Sequence, residues 1–280
     1  MPPPEMEKLG EALPSLVLYS VPALCLVTLL HKGKLPLLRF RRRRWVEEAP
    51  LFSGLEVLFV FLFWFLIHVS LSALMSLAVT AERIDESEAT VLAVSFTALA
   101  TCAFLVHAVK EIAGQPLRSV GLTSTYWGNL LPAAALCFCV LFPLSLIQSL
   151  WMLGLHEVLG WEPRLQDMVA LFHEYASEKD VRAISFVVFS AVVVAPLVEE
   201  PLFRGLLFGW LRTRCGVWGG AILSSVIFAG VHFTLFGFVP LVVLGVILAY
   251  VYQRTGSLYP AMVFHAVFNA TTLGVILLGA

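Results

Sequence analysis

Long apolar runs separated by short polar segments dominate this chain of 280 residues. A helix needs roughly 20 apolar residues to cross a bilayer, and stretches such as 57–79 and 130–155 exceed that length without a charged side chain. Strands of a membrane barrel would instead alternate in polarity over about ten residues, a pattern that the apolar runs do not show. The pattern predicts eight candidate spans: 13–30, 55–79, 89–109, 130–155, 181–198, 217–236, 238–252 and 259–279.

Three segments depart from simple spans. Residues 164–178 mix apolar and charged positions at helical spacing, which predicts an amphipathic helix at the membrane interface. The apolar segment 201–213 is short, and its Gly205 and Gly209 lie four residues apart, a spacing that lets a neighbouring backbone approach closely. The seventh span is short, and a break is predicted at its start, around Gly237 and Pro240.

The composition narrows the class of protein. Hydrophobic residues make up 59% of the chain and charged residues 13%, with a mean hydropathy of +0.89. Ordinary soluble domains are about 25% charged, so a water-soluble enzyme, a disordered chain and a disulfide scaffold are excluded. The expected fold is all-α, a polytopic membrane helical bundle with about eight transmembrane helices. We divide it into residues 1–180, which hold the N-terminal helices, and 181–280, which hold the polar motifs.

Charge distribution predicts the orientation in the membrane. The net charge of −1 hides an asymmetry, because placing the N-terminus outside puts 13 of the 18 basic residues in the cytoplasm and 13 of the 19 acidic residues opposite. The positive-inside rule therefore predicts both termini outside and the Arg41–Arg44 loop in the cytoplasm. Between two spans, that loop is interpreted as an anchor and not as a nucleic-acid site. The acidic start (Glu5, Glu7, Glu11) argues against a cleaved signal peptide.

Cysteines and isolated polar residues in the spans receive structural interpretations. The cysteines show no metal-binding spacing and are interpreted as small buried hydrophobic residues. His68, His107 and Gln148 are isolated within or near spans, and we expect each to form a hydrogen bond between helices. The five cysteines are Cys25, Cys102, Cys137, Cys139 and Cys215.

Polar residues in the last hundred positions are harder to explain in this way. A charge near the centre of a span costs about 2.5–3.5 kcal/mol, yet Glu199 and Glu200 end the fifth span and Arg204 follows them. Glu200 and Arg204 are four residues apart and can pair on one helix face. A structural ion pair accounts for those two residues, but it leaves the adjacent carboxylate of Glu199 unexplained.

Two more pairs with the same spacing follow on later spans. His232 comes one turn after Phe228, and Asn269 comes one turn after His265, so each pair can share a helix face. One shared polar cavity relieves the cost of burying several isolated polar groups in lipid. We therefore expect Glu199, His232, His265 and Asn269 to surround one cavity, nearer the cytoplasmic side.

These three motifs together resemble a known family. E-E-x-x-x-R, F-x-x-x-H and H-x-x-x-N, in this order on successive apolar helices, resemble the CPBP or Abi family, which contains CAAX prenyl endopeptidases and bacteriocin-processing proteases; the resemblance covers about residues 181–280. It implies that the chain is an intramembrane endopeptidase, a multi-pass protein of a prokaryotic plasma membrane. The implied partners are membrane lipids and a membrane-associated peptide or protein substrate. That substrate would be cleaved by CAAX-type processing or by removal of a C-terminal or leader segment. No nucleic-acid partner is implied.

Chemistry of the residue types suggests how such an enzyme works. Glu199 suits general-base attack by water, and His232 is expected to orient the same water. His265 and Asn269 are expected to donate hydrogen bonds to the developing oxyanion, a role worth about 10²–10³ in rate per donor. The candidate catalytic set is Glu199, Glu200, Arg204, His232, His265 and Asn269.

Other interpretations stay open at this point. Glu199, His232 and His265 offer a donor set for zinc in a metalloprotease, although no cofactor is favoured because Asn269 suits an oxyanion better than zinc. A non-catalytic membrane scaffold that binds a partner protein is the main alternative to an enzyme. A transporter is less favoured, because transporters usually carry internal repeats with paired broken helices, and none is evident here.

Overall fold

The computed structural model describes residues 40, 52–81, 86–123, 127–161 and 167–279. These residues form helices and contain no strand, and six helical stretches are long and apolar enough to cross a membrane. The predicted all-α membrane bundle is confirmed, whereas the count of eight spans is not. The first predicted span, the Arg41–Arg44 loop and Cys25 lie outside the described residues. The fifth and sixth predicted spans belong to one helical stretch, Val181–Gly230.

Nine α-helices and three π-helical segments form the framework among the described residues. The π-helical segments are Ala108–Ile112, Ser190–Val194 and Pro201–Phe208. The α-helices are α1 (Gly54–Thr80), α2 (Glu86–His107), α3 (Leu130–Leu159), α4 (Asp167–Glu178), α5 (Val181–Phe189), α6 (Ala195–Glu200), α7 (Gly209–Gly230), α8 (Leu235–Thr255) and α9 (Leu258–Gly279).

The helical stretch that carries the acidic motif differs from its predicted form. Residues 201–213 continue directly from α6, and the chain turns only at Cys215 and Gly216, where Gly216 takes a φ of 75°. Glycine reaches this left-handed conformation without a steric penalty, so it supplies the turn between two apolar segments. α7 then ends at Gly230, earlier than the predicted 236, and His232 lies in the turn that follows.

Pro240 does not break the helix that corresponds to the seventh predicted span. α8 begins at Leu235, where the side chain of Thr234 accepts a hydrogen bond from the Gly237 backbone N–H, and it continues through Pro240. A proline inside a helix leaves the carbonyl four residues earlier without its donor, here that of Phe236. The side-chain amide of Gln148, on α3, donates to that carbonyl at 2.9 Å. The expected interhelical hydrogen bond of Gln148 is therefore confirmed.

Close helix packing uses one of the two predicted glycines. A Cβ added at Gly205 would lie 2.7 Å from the Val120 carbonyl oxygen, so the connection after α2 packs directly on this position. A Cβ at Gly209 would meet only the Arg204 carbonyl oxygen, at 3.8 Å. The close approach predicted for both glycines is confirmed at Gly205 and wrong at Gly209.

Buried clusters join the two halves of the chain. One contains Cys137 of α3 together with Phe208, Leu248 and Phe264 of the C-terminal helices. Such mixed packing fixes the later helices against the earlier ones, and the division at residue 180 stays a prediction.

The amphipathic helix and the cysteines are partly as expected. α4 lies within the predicted segment 164–178, and its Phe172 is fully buried in a cluster with Val187 and Leu273. Its position at a membrane interface stays a prediction. Cys137 and Cys139 are buried, whereas Cys102 and Cys215 are exposed, so the prediction of burial is wrong for those two.

Candidate active site

The paired carboxylates lie at the end of α6, where the helix widens. Pro201 follows immediately and starts the π-helical segment Pro201–Phe208; proline has no N–H and its ring crowds the carbonyl of the preceding turn, which accounts for the widening. Glu200 is fully buried, and Arg204 Nη1 donates to Glu200 Oε1 at 3.0 Å. The predicted i,i+4 pair is confirmed.

His265 connects α9 to both carboxylates. Its Nδ1 lies 2.8 Å from Glu200 Oε1 and its Nε2 lies 3.9 Å from Glu199 Oε2. Because a carboxylate oxygen accepts, Nδ1 carries the proton and donates to Glu200. Glu200 therefore holds the imidazole ring in place, and the Nε2 atom faces Glu199.

Glu199 and Glu200 occupy different environments although they are adjacent. The Glu200 side chain has no exposed surface and one of its oxygens accepts from two partners, whereas the Glu199 side chain is 22% exposed. Glu199 is therefore the carboxylate of the pair that a molecule from outside can reach.

Phe228 forms the apolar centre of the site. The Arg204 guanidinium lies 4.3 Å from the centroid of its ring, in cation–π geometry. The rings of His232 and His265 pack edge-to-face against it, with centroids 4.7 and 6.2 Å away. Phe228 thus contacts a residue of each of the other two motifs, Arg204 and His265.

His232 lies next to this group, in the turn after α7. Its Nδ1 is 2.7 Å from the Phe228 carbonyl oxygen. A carbonyl only accepts, so Nδ1 carries the proton and Nε2 is left as an acceptor in the neutral ring. That tautomer suits an orienting role toward a water molecule, which stays a prediction.

The Asn269 side chain bonds to the π-helical segment Ser190–Val194, which precedes α6. Its Nδ2 donates to the Ala191 carbonyl oxygen at 2.7 Å. One of its two amide N–H bonds is therefore already used within the protein. The structure thus brings Glu199, Glu200, Arg204 and His265 together, places His232 beside them through Phe228, and gives Asn269 a backbone partner.

Several buried polar atoms of this site have no hydrogen-bond partner in the protein. They are Glu199 Oε2, Glu200 Oε2 and Arg204 Nη2. Such atoms carry a desolvation cost of about 1–3 kcal/mol each, and unsatisfied groups concentrated in one place are typical of a functional site.

A metal site does not follow from this arrangement. Over the described ranges between residues 52 and 279, no group of three His, Cys, Asp or Glu side chains is placed to hold a metal ion. Glu199, His232 and His265, the donor set that the sequence offers for zinc, do not form such a group in the structure.

Sequence reasoning missed Ala191 and Val120, whose backbone carbonyls contact Asn269 and Gly205. Backbone atoms are the same in every residue, so no side-chain pattern marks them. The only signal near Ala191 is Pro196 inside an apolar helix, since a proline removes one backbone donor.

Comparison with protein families identifies the segment that carries the site. Residues 182–271 match the family model described as type II CAAX prenyl endopeptidase Rce1-like. This range contains every residue of the candidate catalytic set. The resemblance predicted from the three motifs is confirmed over this segment.

Curated relatives come from bacteria. The chain is 29% identical over 184 residues to an "Uncharacterized 24.3 kDa protein" of Escherichia coli, covering 62% of this chain and 74% of that protein. It is 28% identical over 89 residues to the "Putative membrane peptidase YdiL" of Bacillus subtilis (strain 168), covering 32% and 36%. It is 31% identical over 93 residues to the protein YpbD of the same strain, covering 32% and 44%. No solved structure gives a significant match.

These similarities support a membrane CAAX-type endopeptidase at the level of the family. With six membrane-capable helices and bacterial relatives, the chain is a multi-pass integral membrane protein of a prokaryote. The two Bacillus relatives are matched over less than half of their length.

Proposed function

We propose that this protein is an intramembrane endopeptidase in which Glu199 activates the water that hydrolyses a peptide bond of a membrane-associated substrate. One observation carries this proposal. Of two adjacent carboxylates, Glu200 has no exposed surface and its Oε1 accepts from both Arg204 and His265, whereas the Glu199 side chain is 22% exposed and its unpartnered Oε2 faces His265 Nε2 at 3.9 Å. A water oxygen about 2.8 Å from each of these two atoms satisfies both hydrogen bonds.

Hydrolysis at this position needs few groups. The water oxygen attacks the scissile carbonyl carbon while Glu199 takes its proton. When the tetrahedral intermediate collapses, the C–N bond breaks and the proton held by Glu199 passes to the leaving amine. No covalent enzyme intermediate forms, which agrees with the absence of a serine or cysteine from the candidate set.

His265 is assigned to the oxyanion. Because its Nδ1–H is donated to Glu200, it donates from Nε2 when both ring nitrogens carry protons. In that form two carboxylates face two cations, Glu199 and Glu200 against Arg204 and His265, and the buried group is neutral overall. Neutrality matters here because an unpaired charge is costly inside a membrane protein.

The similarity of residues 182–271 to the family, and not the geometry, supports the substrate class that we propose. We infer a membrane-associated protein or peptide, cleaved in a CAAX-type or a C-terminal or leader reaction. A panel of fluorogenic peptides with and without a prenylated cysteine, presented in proteoliposomes, separates these classes.

Glu199→Gln tests the proposal directly. The change keeps the shape and removes the base, so cleavage should fall about a hundredfold or more while membrane insertion and thermal stability stay close to wild type. Glu111→Gln, at an exposed position on the π-helical segment after α2, is the matched control and should cleave normally. If the Glu199→Gln protein inserts normally and its precursor is processed at the wild-type rate, Glu199 is not the base and the scaffold interpretation is favoured.

Chelation tests the metal-free form of the mechanism. We expect the purified protein to retain cleavage after exhaustive treatment with a zinc chelator, because the attacking water is activated by a carboxylate. Stoichiometric zinc in the protein, with activity lost on its removal and restored on its return, would show a metalloprotease instead.

A further inference from the structure

The side-chain amide of Asn269 replaces a backbone hydrogen-bond donor that a proline lacks. In the π-helical segment Ser190–Val194, the Ala195 N–H donates to the Ser190 carbonyl, five residues earlier. The same pattern would give the Ala191 carbonyl the N–H of residue 196, but residue 196 is proline and has none. The side-chain amide of Asn269 donates to this carbonyl instead, at 2.7 Å.

The same device occurs elsewhere in the molecule. Pro240 deprives the Phe236 carbonyl of its helical donor, and the side-chain amide of Gln148 replaces it at 2.9 Å. In both places an amide from a different helix supplies the missing hydrogen bond. A backbone carbonyl left unpaired in a membrane protein costs several kcal/mol, so neither amide is interchangeable with an apolar side chain.

The bond between Asn269 and the Ala191 carbonyl also affects the direction of the two glutamate side chains. A π-helical turn inserts one residue, which rotates everything beyond it by about 100° around the helix axis. Glu199 and Glu200 lie directly beyond the Ser190–Val194 turn. Their direction therefore depends on whether that turn keeps its widened form.

Two hydrogen bonds join α9 to the helical stretch Val181–Gly230, and they come from residues one turn apart on α9. Asn269 bonds to Ala191 inside the π-helical turn, and His265 bonds to Glu200 after it. Two attachment points fix both the rotation and the register of one helix on the other.

We propose, on the basis of the proposed function, that Asn269 is a positioning residue: by replacing the donor that Pro196 lacks, it holds the π-helical turn that aims Glu199 at His265. This differs from a role as an oxyanion donor, which the sequence alone predicts for the same side chain.

A double-mutant cycle with Pro196→Ala separates the two roles. Alanine at 196 restores an N–H in reach of the Ala191 carbonyl, so Asn269 becomes dispensable for the turn. Asn269→Ala alone should lower the cleavage rate about tenfold to a hundredfold, as expected for a displaced catalytic group. In the Pro196→Ala background the same substitution should cost much less. An oxyanion donor would lose the same factor in both backgrounds, and that result overturns the proposal.

Stability measurements complete the experiment without a substrate. Asn269→Ala should lower the Tm in detergent more in the wild-type background than in the Pro196→Ala background. Equal losses in the two backgrounds would show that the Ala191 bond does not hold the turn, and would also overturn the proposal.

Gln148→Ala is the matched control, because it removes the same kind of bond from a different helix, α8, which does not carry the carboxylates. It should lower the Tm and leave the cleavage rate per folded molecule near wild type. If Glu199→Gln retains full activity, the proposed function fails, while the Tm cycle still decides what Asn269 does.

Discussion

Helix α1 and the π-helical segment Pro201–Phe208 show how little hydrophobicity says about burial in this protein. α1 has 27 residues and is strongly apolar, yet only Val57 and Val60 are buried. All eight residues of Pro201–Phe208 are buried, including an arginine and a glycine. Of these two segments, the less apolar one is therefore the more deeply packed.

The reason is that lipid replaces water as the surroundings. Lipid tails are as apolar as leucine, so a leucine gains little by leaving them. Helices associate through close packing at small residues and through polar bonds, and both are concentrated in Pro201–Phe208. Gly205 accepts the Val120 backbone there, and Arg204 binds Glu200 and the ring of Phe228.

The largest effect is expected from breaking the buried ion pair. Arg204→Leu leaves the fully buried Glu200 without its strongest partner, so the free energy of unfolding should fall by about 3–5 kcal/mol. Arg214→Leu, at an exposed arginine of α7, should change it little. Chemical unfolding in detergent gives both values. Equal stability of the two variants would contradict the importance of buried charge in this segment.

A leucine in each region tests the comparison more directly. Leu206 is 1% exposed and Leu62 of α1 is 51% exposed. Leu206→Ala should cost about 2 kcal/mol, the low end for a buried cavity, because only packing is lost when the surroundings are lipid. Leu62→Ala should stay within about 0.5 kcal/mol of wild type. A larger loss at Leu62 would indicate that α1 packs against a partner.

The smallest change in the free energy of unfolding is expected from replacing either of the two glycines with alanine. Gly205→Ala places a methyl group against the Val120 carbonyl oxygen, which backbone atoms relieve only by moving, so it should cost about 1–3 kcal/mol. Gly209→Ala meets no neighbouring segment and should be neutral or stabilise the helix by about 0.5–1 kcal/mol. The same unfolding assay measures both. Equal destabilisation at the two positions would contradict the close backbone approach that distinguishes Gly205 from Gly209.

Much of the candidate site could be predicted because its pattern is local. Spacing of four residues places Glu200 near Arg204, and the structure confirms that pair at 3.0 Å. The charges were conspicuous because an apolar span carries one only where something compensates. Motif order then identified the family segment, which the match over residues 182–271 confirms.

Helix ends in the same region were harder to predict. The predicted sixth span runs six residues past the end of α7 at Gly230, which places His232 in a turn. Apolar residues continue through that turn, so hydropathy marks no boundary. The conformation of Gly216 and the capping by Thr234, not the polarity, determine where helices begin and end.

The sequence by itself determined that this chain is an all-α membrane protein with a protease-like acidic and histidine motif set, since apolar length and i,i+4 spacing are properties of the chain alone. Only the tertiary structure decided which partners the polar groups take on other segments of the chain. His265 bonds to Glu200 across 65 positions of sequence, and Asn269 bonds to the backbone of Ala191 across 78. Those choices depend on helix rotation, which the π-helical segments Ser190–Val194 and Pro201–Phe208 change by about 100° per inserted residue. A regular helical period cannot anticipate that rotation.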